Sequence, residues 1–306
     1  MAKQGKVVVV GSLVLDKVYR MEALPLSGET AVAHEVVTMP GGKGANQAVA
    51  ARRLGAPVAF VGRIGADEAG TQLRASLEGA DVEIHLEATE DAETGHAAVL
   101  VDEGGENQIA VHLGANAHLR PDDLPASLLE EAAVVVTQLE IPRETIRAAA
   151  EAAAQAEAIT ILNAAPFDPE AAELLPAFDI AVLYRSEAEQ LSGVGIASME
   201  DALAALRALR DMGSRAPVIT LGPGGAVYID HGRGAHARSV EVEAVDATGA
   251  GDAFVGALAA LLREGQEMQD AVERACIYAA HATTAAGARE GYLDADAFQE
   301  KVSHLE

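Results

Sequence analysis

Two spacings of apolar residues alternate along this chain. Residues 6–12, KVVVVGS, form a continuous β-branched run that ends in Gly-Ser and predict a buried strand of the parallel type. Residues 43–55, KGANQAVAARRLG, carry their apolar positions at helical spacing and stop at Gly55. The next segment, VAFVGRIG, predicts a strand, and EAGTQLRASLEGA a helix. Short strands follow at AAVVVTQLEI, AITILNAAP, DIAVLY and PVITLG, separated by alanine-rich helices over 145–158 and 199–212. From Gly249 onward the pattern is mostly helical. This βα alternation predicts an α/β fold, a doubly wound and mostly parallel sheet with helices on both faces.

Two stretches break the rhythm. Residues from Asp16 to about Met39 alternate polar and apolar positions around Pro25 and Gly28. Residues 95–112, GHAAVLVDEGGENQIAVH, read as a hairpin with its turn at 103–106. Together they predict a small antiparallel β-sheet standing off the main body, a lid or a dimer surface. The competing reading makes them ordinary edge strands. No linker or internal repeat divides the chain, so residues 1–306 are expected to form one domain, with lid strands from about 16–39 and 95–112.

Composition narrows the function. Half of the residues are hydrophobic but only 3% are aromatic and none is Trp, so the core is expected to be aliphatic. The formal net charge of -25 argues against a nucleic-acid or anionic membrane partner. It also means that an anionic substrate must be met by local positive groups. The lone cysteine, Cys276, forms no intrachain disulfide, which fits a reducing, cytoplasmic setting. The first residues, MAKQGKVVVVGS, hold too short an apolar run for a signal peptide or a membrane span. No HExxH or paired-cysteine pattern suggests zinc.

Three glycine-rich segments are candidates for chemistry. In PGGKGANQAVAARRLG, residues 40–55, glycines allow close backbone approach to a ligand, Lys43 is a point cation and Asn46 both donates and accepts. It also reads as a plain strand-to-helix turn. In DATGAGDAF, residues 246–254, the N–H groups of Gly249, Ala250 and Gly251 face the start of a helix, where an anion is stabilised. Asp252 stands there either as a cap or as a proton acceptor. ITLGPGGAVYI, residues 219–229, is a strand, a glycine loop and a second strand, suited to a nucleotide or simply to a hairpin.

In order and separation, PGGKGANQAVAARRLG and VDATGAGDAF closely resemble the two signatures of the ribokinase-like carbohydrate kinases, the family that includes the B-type phosphofructokinases. The resemblance runs from about Val7 to Leu293. Together with GANAHL and TQLEIP, these segments look most like the ribose-phosphorylating members. The resemblance implies an α/β domain with a β-sheet lid, ATP as donor, Mg²⁺, activation by K⁺ and pairing of lids in a homodimer. The expected acceptor is D-ribose, giving D-ribose 5-phosphate; the alternatives are another small sugar or nucleoside, or a catalytically weak sugar- or nucleotide-binding relative.

Carried over by position, the resemblance makes Asp252 the base and Gly249, Ala250 and Gly251 the anion hole. Asp16, Gly42, Lys43, Asn46 and Glu140 become acceptor contacts. Thr220, Gly222, Gly224 and Gly225 fall in the nucleotide loop, and Cys276 near the adenine edge, where a buried packing thiol is the competing account. Asp246 and the Thr248 carbonyl, with Ala282, Ala285, Gly287 and Gly291, become potassium ligands. Three departures stand out. Val14 occupies the Asn place of an Asn-x-Asp pattern, which removes one sugar hydrogen bond. YRSE, residues 184–187, replaces the Asn-x-x-Glu that serves magnesium and phosphate: Glu187 is kept, Tyr184 replaces Asn, and Arg185 is either a phosphate contact or a surface residue. LNAAP stands for Asn-Pro-Ala-Pro.

Overall fold

The computed structural model describes residues 4–303. Strands β1 (Lys6–Val10), β2 (Val14–Arg20) and β3 (Glu35–Gly41) lead into helix α1 (Lys43–Arg53). Next come β4 (Val58–Gly65), α2 (Glu68–Gly79), β5 (Glu83–Thr89), β6 (His96–Val101) and β7 (Asn107–His112). The middle alternates through α3 (Ala126–Glu130), β8 (Ala132–Gln138), α4 (Arg143–Gln155), β9 (Ile159–Asn163), β10 (Ile180–Tyr184), α5 (Arg185–Ser192), α6 (Met199–Asp211) and β11 (Ala216–Thr220). Strands β12 (Ala226–Asp230) and β13 (Arg233–Ala237) precede α7 (Ala250–Arg263), α8 (Met268–Ala282) and α9 (Ala295–Ser303).

The main sheet has the order β13-β12-β11-β10-β9-β8-β1-β4-β5. Neighbours from β11 to β5 pair in parallel, and β12 and β13 close one edge antiparallel. Val7 to Val10 are each 0% exposed, the reason β1 reads as an unbroken apolar run. Val7 and Val9 pack into a core shared with α1, α2, α7, α8 and α9. Val8 and Val10 face the other core, shared with α3, α4, α5 and α6. Few rings are available, so alanine-rich helices seated close to the sheet fill these layers. The predicted 145–158 helix begins at Arg143 and ends at Gln155, because Glu157 turns to a φ of 56° and breaks it. The edge strands β5 and β13 had no clear sequence signal: Glu83 and Glu87 interrupt one and Arg233 and Gly234 the other.

A second sheet has the order β3-β2-β6-β7. Its β2–β3 and β6–β7 pairs are antiparallel, while the central β2–β6 pair is parallel. The β6–β7 turn falls at the predicted place, tied by Gly105 N–H and Glu106 N–H to Asp102. Only a small apolar cluster, Val14, Ala97 and Val99 with Val18 and Val101 against them, holds one face. Strand β2 leaves β1 directly and β3 runs straight into α1, so this sheet stands at the carboxyl end of the main sheet.

Candidate active site

Sheet order reverses at β1: β4 lies on one side of it and β8 on the other. In open α/β sheets such a switch point opens a crevice at the strand carboxyl ends. Ser12, just after β1, and Glu140, just after β8, meet across it, with Ser12 Oγ donating to Glu140 Oε2 at 2.5 Å. The N-terminus of α1 points at the same carboxylate, and Lys43 N–H donates to Glu140 Oε2 at 3.2 Å. Burial raises the pKa of Glu140, opposed by the Lys43 charge and the Ser12 hydroxyl.

Asp252 lies in the first turn of α7 and is 6% exposed. Gly249, at φ 76°, turns the chain into that helix, and no side chain caps its first N–H groups. One turn on, α7 crosses α1 at very close range. A Cβ on Gly256 would come within 2.4 Å of the Gln47 carbonyl oxygen. That crossing sets two amides of α1 against the carboxylate. Asn46 Nδ2 donates to Asp252 Oδ2 and Gln47 Nε2 to Oδ1, each at 3.0 Å. Further polar groups orient these amides. Gln138 Nε2 donates to Gln47 Oε1 at 2.7 Å, Gln47 Nε2 also reaches Asn163 Oδ1 at 3.0 Å, and Arg289 Nε donates to Asn46 Oδ1 at 2.7 Å.

Asp16 approaches from the small sheet. Its carboxylate lies on the backbone of Gly41, where a Cβ would stand 2.1 Å from Oδ2. Burial pushes its pKa up to about 7; Glu140 and Asp252 add to the rise and Arg289 opposes it. Val14 is 2% exposed in the apolar cluster of the small sheet and offers no hydrogen bond there. Asn116, within GANAHL, stitches the start of β2: its Oδ1 accepts from Leu13 N–H at 2.9 Å and its Nδ2 donates to the Leu13 carbonyl at 2.7 Å.

Tyr184 ends β10 beside Thr220 at the end of β11. Its ring lies on Gly251, its hydroxyl donates to Asn163 Oδ1 at 3.2 Å, and Lys43 Nζ sits 5.2 Å from its centroid. Burial, then the Asp252 charge, raises its pKa well above the usual phenol value. Glu187 accepts from Ser186 Oγ at 2.8 Å, and Arg185 is exposed on the first turn of α5. Gly222 and Gly224 are exposed in the loop after β11, while Gly225 is buried under Ala237. Cys276 is 4% exposed within the core, and burial, followed by Glu273, pushes its thiol up to about 12, the behaviour of a packing residue.

The 246–249 and 282–291 loops are tied together. Asp246 accepts Thr248 N–H and Gly287 N–H at 2.9 Å each, and Thr283 O accepts Val245 N–H at 2.7 Å. Burial alone would raise the Asp246 pKa, but these bonds hold it below the ordinary value. Gly249 packs on the Ala288 carbonyl and Gly291 on the Ala282 carbonyl. Ala285 is half-buried in this segment. Among the described residues no cluster of three or more His, Cys, Asp or Glu forms a metal centre. None of the helices there is long and apolar enough to cross a membrane.

The structure thus gathers Asp16, Lys43, Asn46, Glu140, Tyr184 and Asp252 around one crevice. Sequence reasoning missed Ser12, Gln47, Gln138, Asn163 and Arg289. The one available signal was the adjacent pair Asn46 and Gln47, polar in an otherwise apolar helical stretch.

Comparison with known proteins agrees with this architecture. Residues 4–295 match the model of the pfkB family carbohydrate kinases. The chain is 37% identical over 297 residues to a ribokinase of Mus musculus, covering 94% of this chain and 91% of that one. It is 31% identical over 304 residues to a deoxyribokinase of Salmonella typhi, covering 97% and 98%. Arabidopsis thaliana ribokinase, solved in complex with ribose and ATP, superposes with a TM-score of 0.89 at 30% identity, covering 99% of both chains.

Proposed function

The chain belongs to the pfkB family of carbohydrate kinases, and from that premise we propose that it transfers the γ-phosphoryl group of ATP to D-ribose, giving D-ribose 5-phosphate and ADP. The observation that carries this reading is the setting of Asp252, a buried carboxylate held by two amide donors at an uncapped helix N-terminus. In the reaction Asp252 accepts the proton of the attacking hydroxyl. The new O–P bond forms as the bridging P–O bond to ADP breaks. The N–H groups of Gly249, Ala250 and Gly251 offset charge on the phosphoryl oxygens in flight. Asp16, Gly42, Lys43, Asn46 and Glu140 hold the sugar hydroxyls, and the small sheet that carries Asp16 serves as a lid.

The donor nucleotide belongs along Thr220, Gly222, Gly224 and Gly225, with Tyr184, Glu187, Gly251 and Cys276 bounding it. The exposed glycines of that loop carry no side chain to obstruct it. Glu187 is the carboxylate available to Mg²⁺; a single carboxylate suits a cation held largely through water and phosphates. When bound, Mg²⁺ neutralises phosphate charge. The carboxylate of Asp246 with the carbonyls of Thr248, Ala282, Ala285, Gly287 and Gly291 is an all-oxygen set on two tied loops, which fits K⁺. K⁺ would stiffen the turn that leads into Gly249. A homodimer through the lids is supported by Ile109 and Val111, 54% and 46% exposed on the strand face that also carries Asp16.

A second reading follows from Val14. Its burial where an amide was expected removes a polar partner for one hydroxyl, which favours a deoxysugar acceptor. The deciding measurement is ADP release with Mg-ATP and D-ribose, 2-deoxyribose, fructose or adenosine, each with and without K⁺. Ribose turnover that rises with K⁺ is expected. Preference for 2-deoxyribose moves the assignment to the second reading, and ligand binding without product on every acceptor overturns the kinase reading.

A further inference from the structure

Arg289 has no part in the roles assigned above, yet it is 9% exposed and lies at the heart of the site. Its guanidinium reaches from the segment between α8 and α9 to three elements. Nε donates to Asn46 Oδ1 at 2.7 Å, Nη2 to the Gly41 carbonyl at 3.4 Å and Nη1 to Ser76 Oγ at 3.1 Å. It therefore clamps both ends of the glycine turn between β3 and α1.

The chemistry of Asn46 gives this clamp a consequence. A side-chain amide can be flipped, and the two orientations differ in what they present to Asp252. With Nδ2 toward Asp252 the carboxylate receives a hydrogen bond; with Oδ1 toward it, two acceptors face each other. Arginine has donors and no acceptor, so Oδ1 must face Arg289 and Nδ2 must face Asp252. Gln47 is oriented by Asp252 itself, whose carboxylate accepts from its Nε2 and leaves Oε1 to accept from Gln138. Burial lowers the pKa of the Arg289 guanidinium; Tyr292, Asp252, Asp16 and Glu290 oppose that fall.

We propose that Arg289 is a positioning residue for phosphoryl transfer: it locks the Asn46 amide so that Nδ2 serves the Asp252 carboxylate. This rests on the kinase reading with Asp252 as base. It predicts an effect on turnover that passes through Asn46 and leaves nucleotide binding alone.

The test is a double-mutant cycle on the full-length protein, with D-ribose or whichever acceptor of the panel the wild type phosphorylates. Arg289→Met should lower kcat about 10- to 100-fold, the worth of one oriented hydrogen bond to a charged group, with KM for ATP unchanged. In an Asn46→Ala background the same change should cost almost nothing more. Arg289→Lys, which keeps donors and has no acceptor, should recover most of the lost kcat. Equal losses in both backgrounds, or wild-type kcat in a folded Arg289→Met, overturn the proposal. If Arg289→Met does not fold, Arg289→Lys should retain more turnover than Arg289→Gln, whose amide can also present an acceptor, and equal or reversed losses overturn it. A wild type inactive on every acceptor overturns the kinase reading itself, whereas an active wild type matched by Arg289→Met overturns only the role of Arg289.

Discussion

Strand β1 of the main sheet and strand β7 of the small sheet are both short and both rich in aliphatic side chains, yet they end in opposite environments. Val7 to Val10 are 0% exposed, enclosed by helices on two faces. Every residue of β7 is exposed, with Ile109 at 54% and Val111 at 46%. The difference lies in what covers each sheet. The main sheet is a rigid platform that can hold Asp252 in a fixed amide frame. The small sheet has little buried apolar area to hold its place, which suits an element that closes over a sugar or meets a second copy. Its contribution to the crevice, Asp16, sits where the two regions touch.

That contrast can be broken most forcefully at the platform. Asp252→Asn keeps the shape but loses the proton acceptor, and kcat should fall by about 100- to 10,000-fold, measured by ADP release; near-normal turnover would mean that the base lies elsewhere. Packing gives the next largest effect. Phe60→Ala, at a site 0% exposed, should cost about 3–5 kcal/mol in urea unfolding. Ile109→Ser should change monomer stability by less than about 0.5 kcal/mol and instead weaken self-association in sedimentation. Equal destabilisation by the two would erase the distinction between platform and lid.

The smallest effect is a pH dependence. With Asp16 raised to about 7, its ionised form, the one that accepts a sugar hydroxyl, grows in as pH rises through that value. Acceptor kcat/KM should climb over the same range, and Asp16→Asn should flatten the climb. Folding stability should move the other way. The folded carboxyl binds its proton more tightly than the unfolded one, so its contribution is full below the unfolded value of 3.8 and is lost as pH rises through about 7. A flat profile in the wild type would remove Asp16 from the acceptor site.

The sequence by itself determined the layered α/β architecture, because strand and helix periods are local properties of Val and Ala runs such as residues 6–10 and 145–155. It also marked Asp252 and the glycine turn before it, since a helix start with its special backbone is written in adjacent residues. It named Asn46 but was silent on the polar groups that complete the frame around Asp252. Gln47, Gln138, Asn163 and Arg289 come from α1, β8, β9 and the segment after α8, with Gln47 and Asp252 separated by 205 positions. No local period records such a meeting. The strand order that brings β1 beside β8, and the close crossing of α7 on α1 at Gly256, decided it. The sequence already read Val14 as the loss of a sugar hydrogen bond; the tertiary structure decided that it packs in the apolar cluster of the small sheet, because burial depends on which strands lie alongside and not on the residue's own neighbours in the chain.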